Sequence, residues 1–104
     1  MKEIKAFIHR NRVADVVHAL RAAGFNNISV VDVKGMLKAL DSREEQYSIE
    51  IGEKVIAEAK LELVCAADQV DLAVEVIRKN ARTGRRHAGS IYVTGIDAAF
   101  PIDG

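Results

Sequence analysis

Apolar residues recur along the chain with two different spacings, and the changes of spacing divide it into six elements. A period of two predicts a β-strand, and a period near 3.6 predicts an amphipathic helix. Alternating or β-branched stretches cover Ile4–Ile8, Ile28–Val33, Ala57–Cys65 and Ile91–Val93. Helical stripes are formed by Val13, Val16, Val17 and Leu20, and then by Val70, Ala73, Val74 and Ile77. The predicted order is therefore strand, helix, strand, strand, helix, strand.

Three residues beside these stretches have the chemistry of helix boundaries. Asn11 precedes the first helical stripe and Asp68 precedes the second. Both residue types favour the N-cap, because their side chains accept hydrogen bonds from unpaired backbone amides. Gly24 follows the first stripe, where glycine adopts the left-handed backbone that ends many helices. We expect caps at Asn11 and Asp68 and a helix end at Gly24.

The order of the elements predicts an α+β fold. It is the βαββαβ order of the ferredoxin-like sandwich, in which two helices cover one face of a four-stranded antiparallel sheet. The 104 residues suit a single domain over residues 1–104 with one core. The other sheet face is also partly apolar, which favours burial against further copies of the chain in a homo-oligomer.

Composition argues against several classes of protein. The 15 basic and 15 acidic residues cancel, so no net field draws the chain to nucleic acid or to an anionic membrane. Cys65 is the only cysteine, which leaves no internal disulfide and no cysteine metal site. No apolar run is long enough for direct insertion into a membrane, and the start is strand-like rather than a signal peptide. We expect a cytoplasmic protein.

The connection between the second and third strands is longer than a hairpin requires. It runs from Met36 to about Lys54, whereas hairpin loops usually have about two to five residues. Its centre, Asp41–Gln46, is strongly polar. Long loops in compact domains are usually functional or disordered. We expect this loop to be poorly ordered until it meets a ligand or partner; a solvated insertion without function is the alternative.

A basic turn bracketed by glycines, Arg82–Gly89, leads into the fourth strand. Glycines permit a sharp turn and close approach of the backbone to a ligand. Arg85 and Arg86 carry forked donors suited to phosphate, and exposed amides in such a turn can form an anion-binding nest. An ordinary loop with solvated arginines has the same composition and is the alternative interpretation.

Four segments in register resemble the PII signal-transduction proteins. They are Met1–Ala6, Val33–Gly35, Lys60–Val64, and Arg82–Gly84 together with Gly89–Val93. The resemblance covers nearly the whole chain without gaps. It implies a homotrimer with adenine nucleotides bound in the clefts between subunits. It also implies a T-loop at about 36–55, which docks onto a transporter, an enzyme or a regulator, and a B-loop at about 82–90.

The resemblance implies that the adenine and ribose part of the nucleotide site is retained. Ser29 stands where the family has a small hydroxyl residue beside the base, and Gly35 keeps the turn that lets the backbone approach the ligand. Glu62 and Val64 stand at the matching strand positions. The candidate ligand-binding residues are Ser29, Gly35, Met36, Lys38, Glu62, Val64, Arg85, Arg86, His87, Ala88 and Gly89.

The phosphate part departs from the family pattern. Cationic residues of the family fall on Glu58, Ser90, Pro101 and Asp103, and Lys38 replaces an arginine. Each charge-assisted hydrogen bond to phosphate is worth about 1.5–3 kcal/mol. We therefore expect ADP or AMP to bind at least as well as ATP, with the two B-loop arginines carrying the remaining phosphate contact. A degenerate site that binds no nucleotide is the alternative.

The loop also departs from the family. Ala39 replaces a glutamine that helps to hold magnesium and 2-oxoglutarate, so we expect no enhancement of ATP binding by 2-oxoglutarate. Ile51 replaces the tyrosine that some relatives modify, although Tyr47 and Ser48 lie nearby. These departures are typical of divergent PII-like regulators that report on other ligands.

Other constellations are weaker. His9, His18 and His87 are scattered; we expect His18 to be solvated and Cys65 to be a small core residue. No nucleophile–base pair or carboxylate pair stands out, so we expect a regulator rather than an enzyme. The alternative is a ferredoxin-like trimer with a degenerate nucleotide site, acting as a metal-tolerance or other small-ligand binding protein. An RNA-recognition domain would need aromatic residues on its central strands, and this chain has few there. A small phosphatase would need an anion site of arginine and asparagine, which has only a faint counterpart near Arg10.

Overall fold

The structure, a computed structural model, describes residues 1–32, 58–84 and 88–104. Its elements are β1 (Lys2–His9), α1 (Val13–Ala22), β2 (Ile28–Asp32), β3 (Glu58–Cys65), α2 (Val70–Ala81) and β4 (Gly89–Gly95). Short 3-10 turns, Arg10–Arg12 and Ala67–Gln69, lead into the two helices. The predicted βαββαβ order is confirmed.

The four strands form one antiparallel sheet in the order β2-β3-β1-β4. The central strands β1 and β3 pair along their whole length, from Lys2 opposite Cys65 to His9 opposite Glu58. The shorter β2 and the β4 strand lie at the two edges. This is the predicted ferredoxin-like α+β arrangement.

One face of the sheet and both helices enclose the core. Alternate residues of the central strands point into it and are at most 2% exposed, namely Ile4, Ala6, Ile8, Leu61 and Leu63. The helices contribute Val16, Leu20, Ala73 and Ile77, which are fully buried, and the partly buried Val13, Val17, Val70 and Val74. Both predicted helical stripes therefore face the core, and burial of apolar surface against the sheet stabilises both helices.

The predicted N-caps are wrong. Each helix is entered through a 3-10 turn, so Asn11 and Asp68 lie inside those turns rather than ahead of the first α-helical residue. The turn before α1 is capped instead by His9, whose Nδ1 accepts a hydrogen bond from the Asn11 backbone N–H at 3.2 Å. Arg12 and Gln69 occupy the α-helical N-cap positions without a side-chain cap hydrogen bond.

The predicted end of α1 is confirmed. Gly24 has a φ of +100°, the left-handed conformation that glycine adopts without steric cost. The Phe25 N–H donates to the Leu20 carbonyl at 2.9 Å, and the Gly24 N–H donates to the Arg21 carbonyl at 3.0 Å. This pair of bonds is a Schellman motif. It turns the chain so that the Phe25 side chain packs in the same core as Leu20.

Two further predictions concern single side chains. His18 is exposed on α1, as expected. Cys65 is half-buried and packs against the edge of the core, and loss of hydration through burial raises the pKa of its thiol. No helix within the described ranges is long and apolar enough to span a bilayer. The prediction of a poorly ordered loop at 36–54 falls outside the described residues.

Candidate functional site

Opposite charges lie at the centre of the sheet face that the helices leave open. Lys60 Nζ lies 3.1 Å from Glu62 Oε1 on β3, and Lys5 Nζ lies 3.4 Å from Glu3 Oε1 on β1. Lys5 is directly opposite Glu62 across the two central strands. These four side chains are about 30–40% exposed, between 28% and 41%, so each ion pair is screened and contributes little to stability.

Apolar side chains surround these charges. The Phe7 and Tyr92 rings meet edge to face with centroids 6.0 Å apart. Val31, Val64 and Tyr92 are 43%, 41% and 56% exposed on this face. The prediction that the second face is partly apolar is confirmed. We call this surface, made of the outward side chains of all four strands, the open face.

Three of the predicted site residues meet in one cleft at the β2–β3 end of the open face. Ser29 lies directly opposite Glu62 in the strand register. Glu62 and Val64 share a side of β3 because side chains two apart point the same way. Together they line a cleft of about 310 Å³. The cleft therefore offers a hydroxyl, a carboxylate and an apolar contact to one ligand.

The sequence interpretation missed other residues of this β2–β3 cleft. Glu3, Asn26 and Asn27 also line it. Glu3 is opposite Val64 in the register, and the two asparagines lie between the end of α1 and the start of β2. Lys60 pairs with Glu62 but does not line the cleft. It shares a side of β3 with Glu62, since it precedes Glu62 by two positions on an alternating strand.

The end of the B-loop lies at the other edge of the sheet. Ala88 and Gly89 enter β4, and Gly89 is opposite Ile8 of β1. Both β1 and β3 stand between β4 and β2, so Gly89 and Ser29 are on strands three spacings apart, roughly 14 Å at about 4.8 Å each. A single chain does not bring these two groups of predicted residues into one cleft.

Gly89 is required by the strand pairing itself. Its φ is +136°, and a Cβ at this position would overlap the Phe7 carbonyl oxygen and lie 3.3 Å from the Ile8 Cα. Strand packing therefore explains why this position needs glycine. The sequence had suggested a different reason, the close approach of the backbone to a ligand. Gly84 differs, because its φ is +77° but a Cβ there would meet no atom of the described residues within 4 Å.

Comparison with known proteins decides the family. A family model described as nitrogen regulatory protein P-II matches residues 1–102. The chain belongs to this family. Among curated P-II relatives, nitrogen regulatory protein P-II 2 of Methanothermobacter thermautotrophicus is 34% identical over 102 residues, which cover 98% of this chain and 89% of the relative. The nitrogen regulatory protein P-II of Mesorhizobium japonicum is 35% identical over 98% of this chain and 91% of its own length.

Membership in the P-II family confirms the predicted resemblance and agrees with the expectation of a regulator. Six of the predicted ligand residues of this P-II chain lie outside the described residues, namely Gly35, Met36, Lys38, Arg85, Arg86 and His87. Glu58, where the sequence comparison placed a reversed charge, is half-buried at the start of β3.

The other departures from the P-II pattern lie at the surface. Ser90 is exposed on β4, and Pro101 and Asp103 are exposed beyond the end of that strand. Within residues 1–32, 58–84 and 88–104, no three His, Cys, Asp or Glu side chains cluster as a metal site would require.

Proposed function

We propose that this P-II family member is a cytoplasmic, non-enzymatic regulator. It binds an adenine nucleotide in clefts between the subunits of a homotrimer and controls a partner protein through its T-loop at about 36–55. The observation that carries the proposal is the meeting of Ser29, Glu62 and Val64 in one cleft. A purine has polar edges and an apolar face, and this cleft offers hydrogen-bonding groups beside an apolar side chain.

A second subunit accounts for the separation of the two groups of site residues. The β2 and β4 edges each have a row of backbone groups without a strand partner among the described residues, and such edges favour association. A neighbour that brings its β4 edge near β2 would place Ala88 and Gly89 beside the cleft of Ser29. The partly apolar open face supports the same association.

The expected nucleotide preference follows from the missing cations. The resemblance implies positive charge at three exposed positions, and this chain has Ser90, Pro101 and Asp103 there instead. None of these three side chains is cationic. Loss of several charge-assisted bonds, each worth about 1.5–3 kcal/mol, weakens triphosphate binding most. ADP or AMP should then bind at least as well as ATP, and Arg85 and Arg86 should supply the remaining phosphate contact.

Titration calorimetry with ATP, ADP and AMP, each with and without magnesium and 2-oxoglutarate, tests the proposal. Glu62→Gln should weaken binding of the preferred nucleotide by about 10–100-fold if the carboxylate accepts a hydrogen bond from it. Glu75→Gln, on the exposed side of α2, is the matched control and should bind as the unmodified chain does. Light scattering should give three times the monomer mass.

The contrary outcomes are distinct. Tight, magnesium-dependent ATP binding that 2-oxoglutarate improves would contradict the proposed preference for ADP or AMP. It would still support the proposed nucleotide site. A trimer that binds no adenine nucleotide would favour the alternative, a degenerate site in a metal-tolerance or other small-ligand binding protein. A stable monomer would contradict the proposed assembly.

A further inference from the structure

The hydrogen bond that caps the turn before α1 depends on the protonation state of one histidine. His9 ends β1, and its Nδ1 accepts a hydrogen bond from the Asn11 backbone N–H at 3.2 Å. A neutral imidazole has one N–H, so a bond accepted at Nδ1 places the proton on Nε2. Both ring nitrogens of a protonated histidine are donors. Protonation of His9 therefore removes the acceptor on which this cap depends.

A carboxylate lies across from His9 on the neighbouring strand. The register pairs His9 with Glu58, the first residue of β3. Both belong to the open face, because His9 lies four positions from Lys5 and Glu58 lies four positions from Glu62 on alternating strands. Directly opposite residues of an antiparallel pair have Cβ atoms about 4.5–5.5 Å apart, and opposite charges there attract. An imidazolium at His9 therefore has Glu58 within reach.

The surroundings of His9 leave Glu58 as its anionic partner. Both residues are half-buried, and Glu58 forms no ion pair with another described residue. The other charged groups on the adjoining turn, β3 and α1 are cations or carboxylates beside a cation, namely Arg10, Arg12, Lys60, Glu62 and Asp15. On the β4 side, Gly89 and Ser90 lie opposite Ile8 and Phe7 and bring no titratable group.

We propose that His9 is a pH-sensitive switch between these two partners. The neutral imidazole caps the turn before α1. The protonated imidazolium releases the Asn11 N–H and pairs with the Glu58 carboxylate across the two central strands. Histidine is the side chain that ordinarily changes charge between about pH 5 and 8, so mild acidification works the switch. It couples the start of α1 to the start of β3, and it requires neither nucleotide binding nor the assembly proposed above.

Amide exchange at Asn11 tests the release of the cap. NMR on the full chain measures the rate at which the Asn11 N–H exchanges with water at about pH 8 and about pH 5. Each rate is divided by the rate of an unstructured amide at the same pH. Protection of Asn11 should fall about three- to tenfold on acidification, the factor that corresponds to the loss of one N-cap. The ¹⁵N shifts of the His9 ring should change over the same pH range from the Nε2–H form to the doubly protonated form.

The other histidines and one matched variant supply the controls. His9→Asn keeps a side chain that accepts at an N-cap but does not titrate, so its Asn11 protection should be equal at the two pH values. His18→Asn, on the exposed side of α1, and His87→Asn, outside the described residues, should respond to pH as the unmodified chain does. A response that persists in His9→Asn, or disappears in His87→Asn, would overturn the assignment to His9.

The new partner is tested by nuclear Overhauser effects. On acidification, contacts between the His9 ring and the Glu58 side-chain protons should strengthen, and those between the ring and the Asn11 amide proton should weaken. Glu58→Gln removes the charge at nearly constant size, so the ring should then gain much less contact with residue 58 while the Asn11 amide still loses protection. Ring contacts with Glu58 that ignore pH would overturn the pairing. Unchanged Asn11 protection in the unmodified chain would overturn the switch as a whole.

Discussion

The two faces of the sheet differ although the same strands build them. On the helix side, Ile4, Leu61 and Leu63 are at most 2% exposed. On the open face, their neighbours Lys5 and Glu62 form partly exposed ion pairs with Glu3 and Lys60. The chain's own helices fill the first face, and no described element covers the second. The difference teaches that one face specifies the fold, while the other leaves charged and apolar side chains at the surface.

Two neighbours on β3 test this comparison most strongly. Leu61→Ala should destabilise the protein by about 2–5 kcal/mol, because it deletes buried methyl groups and leaves a cavity. Lys60→Ala, one residue earlier and on the open face, should change stability by no more than about 1 kcal/mol. Urea denaturation at one fixed protein concentration measures both. Equal losses would mean that the open face also carries the fold.

Gly89→Ala tests the pairing beneath both faces. A methyl group would meet the Phe7 carbonyl oxygen, so we expect a loss of about 2–4 kcal/mol, combining left-handed strain of about 1–2 kcal/mol with overpacking. Gly84→Ala has the strain without the overlap and should cost about 1–2 kcal/mol.

Thermal and urea unfolding without nucleotide measure both glycine variants. If Gly89→Ala were as stable as the unmodified protein and only weakened nucleotide binding, ligand approach rather than strand packing would explain this glycine.

The aromatic pair sharpens the comparison on the open face. A double-mutant cycle with Phe7→Ala and Tyr92→Ala should give a coupling energy of about 0.5–1.5 kcal/mol for the edge-to-face contact. Denaturation of the two single variants and the double variant supplies the cycle. A coupling near zero would mean that the rings are held only by their separate contacts with the sheet.

Cys65 should show the smallest effect, at the border of the core. Burial, ahead of a smaller contribution from Asp68, raises the pKa of its thiol. The midpoint for alkylation by iodoacetamide should therefore lie at higher pH in the native protein than in the urea-unfolded chain. The matching stability contribution is complete below the unfolded pKa and is lost as pH rises through the folded pKa. If the alkylation midpoint of the native protein lay at the same pH as that of the unfolded chain, or lower, burial would not raise the pKa of this thiol.

Most of the fold could be predicted because alternation and helical stripes report directly on burial. Ile4, Leu61 and Ile77 were assigned to core-facing positions by spacing alone, and each is buried. The helix caps were not predictable in the same way. Asn11 and Asp68 have the right chemistry for an N-cap, but each lies inside a 3-10 turn. His9, the last residue of β1, caps the first of these turns instead.

Less of the site could be predicted, because it depends on register. The pairing of Ser29 with Glu62 joins strands separated by the long 33–57 segment, and no local pattern states which residues will be opposite. The reason for Gly89 likewise lies in a carbonyl group of β1, far away in the sequence. The family resemblance identified Ser29, Glu62 and Gly89 as candidate site residues. Only the structure showed which residues lie next to them, such as Lys60 beside Glu62 and Asn27 in the cleft.

The pairing of Asp32 with Ala59 has a consequence for how such a protein changes over generations. The sheet itself holds the two ends of residues 33–57 together. The hydrogen bonds between β2 and β3 therefore offset the entropy cost of closing the intervening segment. Doubling a flexible loop costs only about 0.6 kcal/mol of closure entropy. Insertions, deletions and rewritten sequence between these anchors are therefore nearly neutral for folding. A lineage can therefore rewrite the sequence between Asp32 and Glu58 while keeping the sheet that it inherited.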